Sequence, residues 1–455
     1  MTTRYKPYLA YQESGVEWLG KVPEGWEVKP LKHFSTIDSC GCYGSEPNES
    51  GIVLPVATTA QIDTDGRFSV DRMPDRGFTP AEVQRYGCAS GDILVVKSSG
   101  SATNIISGKS GIVDETTPKF IFSNFLMRVR PNIEIAVSKF VFLLLKSHLT
   151  RQRVELMCST TTYPNLQVSE YSSSPLPIPP LSEQLAIAAH LDRETTRIDG
   201  LVEKKTRFIE LLREKRQALI THAVTKGLDP HAKMKDSGVE WLGEVPEHWE
   251  VKRTRQVVAR IESGTSVNSI DVPASDQEYG VLKTSCVSSE EFCLQENKAV
   301  VADEYDRVSC QLKIGALIVS RMNTPDLVGS AGLVRESRIG IFLPDRLWQM
   351  SFCDFDAGFA FYWTKTTGYR TQIRMACTGT SSSMQNMSQD QFLCFTLPAP
   401  PLIEQNAIVA HLDPETTRID SLIAKTERSI ELLKERRAAL ITAAVTGQID
   451  LREAA

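Results

Sequence analysis

The chain has 455 residues, 41% hydrophobic and 24% charged, which allows two to four domains at roughly 100–200 residues each. Its 51 basic and 56 acidic residues give a formal net charge of −5, which argues against a protein that holds DNA or an anionic membrane by net charge alone. No run approaches the about 18 apolar residues of a membrane span, MTTRYKPYLAYQESG has no apolar signal core, and ten cysteines without a C-x-x-C pair fit reduced thiols in the cytoplasm.

The first element is SGVEWLG at Ser14–Gly20, followed by VPEGWEVK at Val22–Lys29. In the stretch Pro30–Leu176, Ile93–Val96 reads as a short buried strand bounded by glycine turns, and Phe140–Lys146 reads as a helix. Pro175–Pro180 reads as a stiff linker. A short helix near Ser182–Leu191 is expected next, then Asp192 as an N-cap and a long helix near Arg193–Val224. About 30 residues of helix span roughly 45 Å.

Then the chain repeats itself. Ser237–Gly243 reads SGVEWLG again, and Val245–Lys252 reads VPEHWEVK, at an offset of 223. A second strand at Leu317–Val319 and a second helix at Phe359–Lys365 follow. Pro400–Asp450 matches Pro179–Asp229 at 34 of 51 positions, so a second long helix is expected from Pro414 to Val445. A solenoid repeats every 20–50 residues or so; a period near 222 is a duplicated module. The boundaries read as scaffold 1–24, first insert domain 25–178, central helices 179–228, repeated scaffold segment 229–248, second insert domain 249–399 and C-terminal helices 400–455. The fold class is mixed α/β (α+β): two globular α/β domains separated by two long antiparallel, coiled-coil-like helices, with an internal pseudo-two-fold. The stripes Ile198, Leu201, Ile209, Leu212, Leu219 and Ile419, Leu422, Ile430, Leu433, Leu440 would form one seam.

Chemistry is sparse. There is no G-x-x-x-x-G-K-[ST], no H-E-x-x-H and no G-x-S-x-G. Thr162-Tyr163-Pro164-Asn165 has the residues of an amino-methyltransferase tetrapeptide in the wrong order. The acids are dispersed, and His190 and His411 recur without a ligand set, so they read as helix-packing residues. No catalytic or metal-binding residue is assigned. What remains is polar loops with scattered bases, the residue types that read base edges and hold phosphates. In the first insert the candidates are Thr59, Gln61, Lys97, Ser99, Asn104, Lys109, Thr161, Thr162, Tyr163 and Asn165. In the second they are Lys283, Thr284, Arg321, Asn323, Thr324, Ser381, Ser382, Gln385 and Asn386. The inserts hold 15 bases against 15 acids and 15 against 17 (residues 25–178 and 249–399), without the basic footprint of a stand-alone DNA binder. Basic clusters on the helices, Arg213, Lys215, Arg216 and Lys434, Arg436, Arg437, read as a solvated face or as a surface for DNA or a partner. A fused enzyme and a DNA-independent scaffold are the alternatives.

SGVEWLG-x-VPE-x-W before each insert, G-D/A-I/L-L/I within it and PPL-x-EQ-x-x-I-x-x-H-L-D-x-E-T-T-R-I-D after it resemble the specificity subunit of type I restriction–modification enzymes. The resemblance covers almost the whole chain. It implies that each insert is a target recognition domain for one half of a bipartite, asymmetric site in double-stranded DNA. It implies that the repeated helices set the spacing and bind two methyltransferase subunits of adenine type, with restriction/translocase subunits joining through them. S-adenosylmethionine, ATP and magnesium would then belong to the partners, and this chain would carry no cofactor and no activity of its own.

Overall fold

The computed structural model describes residues 5–47, 51–63, 66, 68–98, 100–101, 104–158, 165–289, 291–381 and 384–452. It divides into two compact units: residues 1–205 with 428–455, and residues 206–427. Both divisions fall within a long helix, so each unit owns one insert, the first half of one helix and the second half of the other.

The first unit is built on a four-stranded antiparallel sheet. Its strands are β1 (Ser35–Asp38), β2 (Ile93–Val96), β3 (Ser110–Ile112) and β4 (Leu126–Pro131), in the order β3-β2-β4-β1. All four residues of β2 are buried, as expected of an Ile-Leu-Val-Val run covered on both faces. Gly91 and Gly108 flank it with φ of 85° and 77°, a left-handed conformation that favours glycine. The second unit repeats the plan with β5 (Val258–Ser263), β6 (Leu317–Ser320), β7 (Ala331–Leu333) and β8 (Leu347–Phe352), in the order β7-β6-β8-β5. Gly315 and Gly329 again take positive φ, 78° and 76°. Beside each sheet lies a smaller one with a parallel pair, Ile52–Ala57 with Ile121–Phe122 and Gly280–Leu282 with Ile341–Phe342. The expected helices are present as Ser138–Lys146 and Ala357–Thr364.

Two expectations about the elements need correction. Pro175–Ile178, expected as part of a stiff linker, is a strand: it pairs antiparallel with Glu27–Pro30, as Thr396–Ala399 pairs with Glu250–Arg253. This ties the entry of each insert to its exit. The long helices, moreover, are unbroken, Leu181–Lys226 (46 residues) and Leu402–Val445 (44 residues). The carboxylate of Asp192 is drawn sideways to Lys139, at 2.8 Å. That of Asp413 is held by Arg335 at 2.7 Å and by the Tyr362 hydroxyl at 2.7 Å. Neither acts as a cap, and the helix runs on through Pro414, which costs the Ala410 carbonyl its usual N–H donor. Burial pushes the Asp413 carboxyl up, but the bonds to Arg335 and Tyr362 outweigh it and leave the group below its ordinary range.

The repeated motifs are explained by burial. Trp26 and Trp249 are 2% and 0% exposed, each in its unit's main core. In the first unit that core is closed by Ile187 and Leu191 from one helix and Leu440, Ile441 and Val445 from the other. In the second it is closed by Ile220 and Val224 with Ile408 and Leu412. The glutamine of the PPL-x-EQ motif is a buried clamp. Gln184 accepts from the Val137 N–H (2.8 Å) and donates to the Ile135 and Pro179 carbonyls (2.9 and 2.8 Å). Gln405 accepts from the Asp356 N–H (2.8 Å) and donates to the Pro400 carbonyl (2.7 Å). Each thus ties the start of a long helix to its own insert.

The helix seam is partly ionic. In the first unit Arg437 meets Asp199 at 2.9 Å, and in the second Arg216 meets Asp420 at 3.0 Å. Both guanidiniums are largely buried, so these two bases are not the solvated or partner-facing residues expected. Lys215 and Lys434 are exposed. His190 is buried and bonded to the Tyr5 hydroxyl at 3.0 Å. His411 is exposed, against the packing role expected of it. Among the described residues, no helix is long and apolar enough to cross a membrane.

Candidate nucleic-acid interface

In each insert several of the candidate residues gather at one end of the main sheet, where β1, β2 and β4, or β5, β6 and β8, meet the loops. In the first domain the Lys97 N–H donates to the Phe125 carbonyl (2.9 Å), and the Leu166 N–H donates to the Lys97 carbonyl (2.8 Å). Ser98 bridges to Asn165. The Val96 N–H donates to the Lys109 carbonyl (2.8 Å). So Lys97, Lys109 and Asn165, far apart in sequence, share one rim. The Lys97 ammonium donates to the Ser39 carbonyl at 3.2 Å. The Asn104 backbone lies in a two-residue strand paired with Gly100–Ser101.

The second domain repeats these bonds one for one. The Arg321 N–H donates to the Arg346 carbonyl (3.0 Å), and the Met387 N–H donates to the Arg321 carbonyl (2.9 Å). Met322 pairs with Asn386, and Asn323 with Gln385. Lys97 and Arg321 are therefore equivalent, as are Asn165 and Asn386. Gly41 and Gly264 occupy equivalent close approaches. A Cβ would lie 1.9 Å from the Phe122 carbonyl oxygen in one and 1.6 Å from that of Leu343 in the other.

The equivalent side chains differ in state. The Arg321 guanidinium is anchored within its domain, with Nε donating to the Asp345 carbonyl (2.7 Å) and a terminal nitrogen to Asn386 Oδ1 (3.3 Å). Asn323 closes its own turn on the Thr324 N–H (2.8 Å), and Thr324 is exposed. Lys283 and Thr284 follow the strand Gly280–Leu282 and line a recess of about 500 Å³ with Lys298, Glu296 and Arg346. Lys283 and Lys298 reach Asp271 at 2.8 and 3.5 Å. The bond from Lys283, with the positive charge of both, holds the Asp271 carboxyl below the usual range.

Gln61 is placed differently from a base reader. It is 5% exposed and caps its own turn: its oxygen accepts from the Thr58 N–H (2.8 Å) and its nitrogen donates to the Asp71 carbonyl (3.3 Å). Thr59 is half-buried in that turn. Ser99, Thr161, Thr162, Tyr163 and Ser382 lie outside the described residues, and Ser381 is placed only as strand backbone paired with Met384. Sequence reasoning missed Phe125, Lys298 and Arg346. The signal for Phe125 and Arg346 was the alignment of Leu126–Pro131 with Leu347–Phe352, which the divergent inserts conceal. No group of three or more His, Cys, Asp or Glu able to hold a metal ion is found among the described residues.

Residues 23–210 match the family model for the type I restriction modification DNA specificity domain. The chain is 22% identical to the EcoKI specificity subunit of Escherichia coli K12, over 94% of this chain and 90% of that one. It is 22% identical to the putative MjaX specificity subunit of Methanocaldococcus jannaschii, over 95% and 96%. A chain solved in work on complex assembly and conformational transition of the type I R-M system superposes with a TM-score of 0.69 at 16% identity, covering 94% of this chain and 99% of that one. The HsdS subunit of Thermoanaerobacter tengcongensis does so with a TM-score of 0.51 at 17% identity, over 94% and 98%. With a duplicated sheet and a clamped helix start in each copy, the chain carries a match to the type I restriction modification DNA specificity domain at residues 23–210 and is similar along nearly its whole length to specificity subunits of type I restriction–modification systems.

Proposed function

We propose that each domain reads one half of a bipartite, asymmetric DNA site, with the sheet-end rim as its reading edge. The observation that carries this is the pair of equivalent rims with unlike side chains. The same backbone bonds present Lys97 with Phe125 in one unit and Arg321 with Arg346 in the other. A duplicated frame with different reading groups suits two half-sites of different sequence. Lys109, Asn165, Lys283, Thr284, Gln385 and Asn386 supply further donors and acceptors for base edges and phosphates.

The long helices would set the spacing and dock two methyltransferase subunits, through which restriction subunits join. The near-identity of the two helices offers two copies of one partner two similar surfaces. The chain itself would be non-catalytic, and S-adenosylmethionine, ATP and magnesium would be held by the partners. Labelled S-adenosylmethionine, DNA and the purified chain should give no methylated DNA, and adding the methyltransferase subunit should give a two-part methylated motif. Methylation by the chain alone, or a motif without two parts, would refute the reading. A four-residue insertion after Arg213 lengthens the helix by roughly 6 Å. It should widen the spacer by about one or two base pairs at roughly 3.4 Å each.

A further inference from the structure

We propose that the equivalent positions 125 and 346 select one base in each half-site. Arg346 reads a guanine in the half-site of the second unit, and Phe125 selects a thymine in the half-site of the first. This rests on the reading that each domain serves one half-site.

Arg346 is singled out by what its neighbours are doing. Around the rim and recess of the second domain, Arg321 is anchored by Asp345 and Asn386, and Lys283 and Lys298 by Asp271. Each of these cations is already oriented by a partner within its own domain, and the two lysines are partly neutralised by theirs. Arg346 is exposed, and among the described residues its guanidinium has no partner. Its main chain is fixed all the same. Its carbonyl accepts from Arg321, and the next residue, Leu347, begins β8 fully buried. A guanidinium without a partner among the described residues, carried on a fixed strand start, offers a planar fork of two parallel N–H donors. Guanine N7 and O6 are the adjacent acceptors that such a fork meets in the major groove.

Position 125 has the same frame and the opposite chemistry. The Phe125 carbonyl accepts from Lys97, and Leu126 begins β4 fully buried. Phe125 is 48% exposed, and its phenyl ring has neither donor nor acceptor. The apolar feature of the major groove is the thymine methyl, which cytosine lacks. So one backbone position offers a cationic fork in one domain and an apolar face in the other.

The test uses the complete methyltransferase complex and duplexes carrying its mapped motif. Replacing the guanine assigned to Arg346 by 7-deazaguanine removes only N7. Replacing the thymine assigned to Phe125 by uracil removes only the methyl group. The first change should weaken binding by the wild-type complex by about 2- to 13-fold, for one of the two bonds of a bidentate pair, and the second by about fourfold for one methyl group. Arg346→Ala should be indifferent to 7-deazaguanine, and Phe125→Ala to uracil, each keeping its sensitivity at the other half. Wild-type binding that ignores both replacements overturns the proposal. So does a sensitivity that survives in the matching variant. Uniform weakening of Arg346→Ala on every sequence, with the salt slope reduced by about one, would mark a phosphate contact instead. A motif that is not bipartite would strike at the two-half-site reading rather than at these two residues.

Discussion

At the rim of the first domain a lysine ammonium rests on the Ser39 carbonyl beside an exposed phenylalanine. At the equivalent place in the second, an arginine is tied down by Asp345 and Asn386 beside a second arginine that is free among the described residues. The backbone bonds beneath are the same. Main-chain hydrogen bonds and buried packing thus hold the frame constant, while exposed positions, whose substitution costs little stability, are free to change the side chains on display. The comparison teaches where to look for each property. Stability should respond alike to equivalent changes in the two units, and sequence reading should not.

The sharpest way to break the likeness is at the tryptophans. Trp26→Ala and Trp249→Ala should each cost about 3–5 kcal/mol, the usual range for emptying such a site. Chemical denaturation should show similar losses, and a loss at only one position would mean that the two cores are not equivalent. Next come the clamps. Gln184→Ala and Gln405→Ala strand buried main-chain groups, and each should cost about 1–3 kcal/mol. The Gln184 variant should be the more affected, since its amide donates to the Ile135 carbonyl as well as to that of Pro179.

The ionic seam sharpens the comparison further. Asp199→Asn and Asp420→Asn each remove the carboxylate facing a largely buried guanidinium. Each should cost about 1–2 kcal/mol, between the values for exposed and buried pairs. Restoring stability by also replacing Arg437 or Arg216 with methionine would show that the loss was a stranded charge; no recovery would contradict that. The smallest effect concerns acid. Asp413 sits below its ordinary range, so its contribution is present above the usual carboxylate pKa of about 3.9 and is lost as pH falls through the depressed value. Asp413→Asn should therefore flatten the acid limb of the stability curve by less than about 1 kcal/mol. The first unit has a weaker counterpart in Asp192 with Lys139.

The sequence carried much of the frame because the frame is duplicated. Strands at 93–96 and 317–320, helices at 138–146 and 357–364 and the two long helices were legible from repeats and apolar runs. The apparent break at Asp192 and Asp413 was misread because Asp, and Asp followed by Pro, are local start signals. Lys139 and Arg335, which turn those carboxylates sideways, lie 53 and 78 residues away in sequence. The Arg216–Asp420 and Arg437–Asp199 pairs were hidden for the same reason. Lys97, Lys109, Asn165, Arg321 and Asn386 were named by residue type alone, and the fold places them at the rims. Gln61 was not distinguishable from them, because its amide differs only in being buried against its own turn. Phe125 and Arg346 needed the strand alignment that only the fold supplies.

The central claim is that each domain reads its own half-site. Its most direct test replaces residues 249–399 with the corresponding insert of a relative that methylates a different motif. The methylated sites are then mapped in cells that also carry the methyltransferase subunit. One half of the motif should change to that of the relative, while the other half stays as in the parent. A change in both halves, or a methylated motif identical to the parent's, would contradict it.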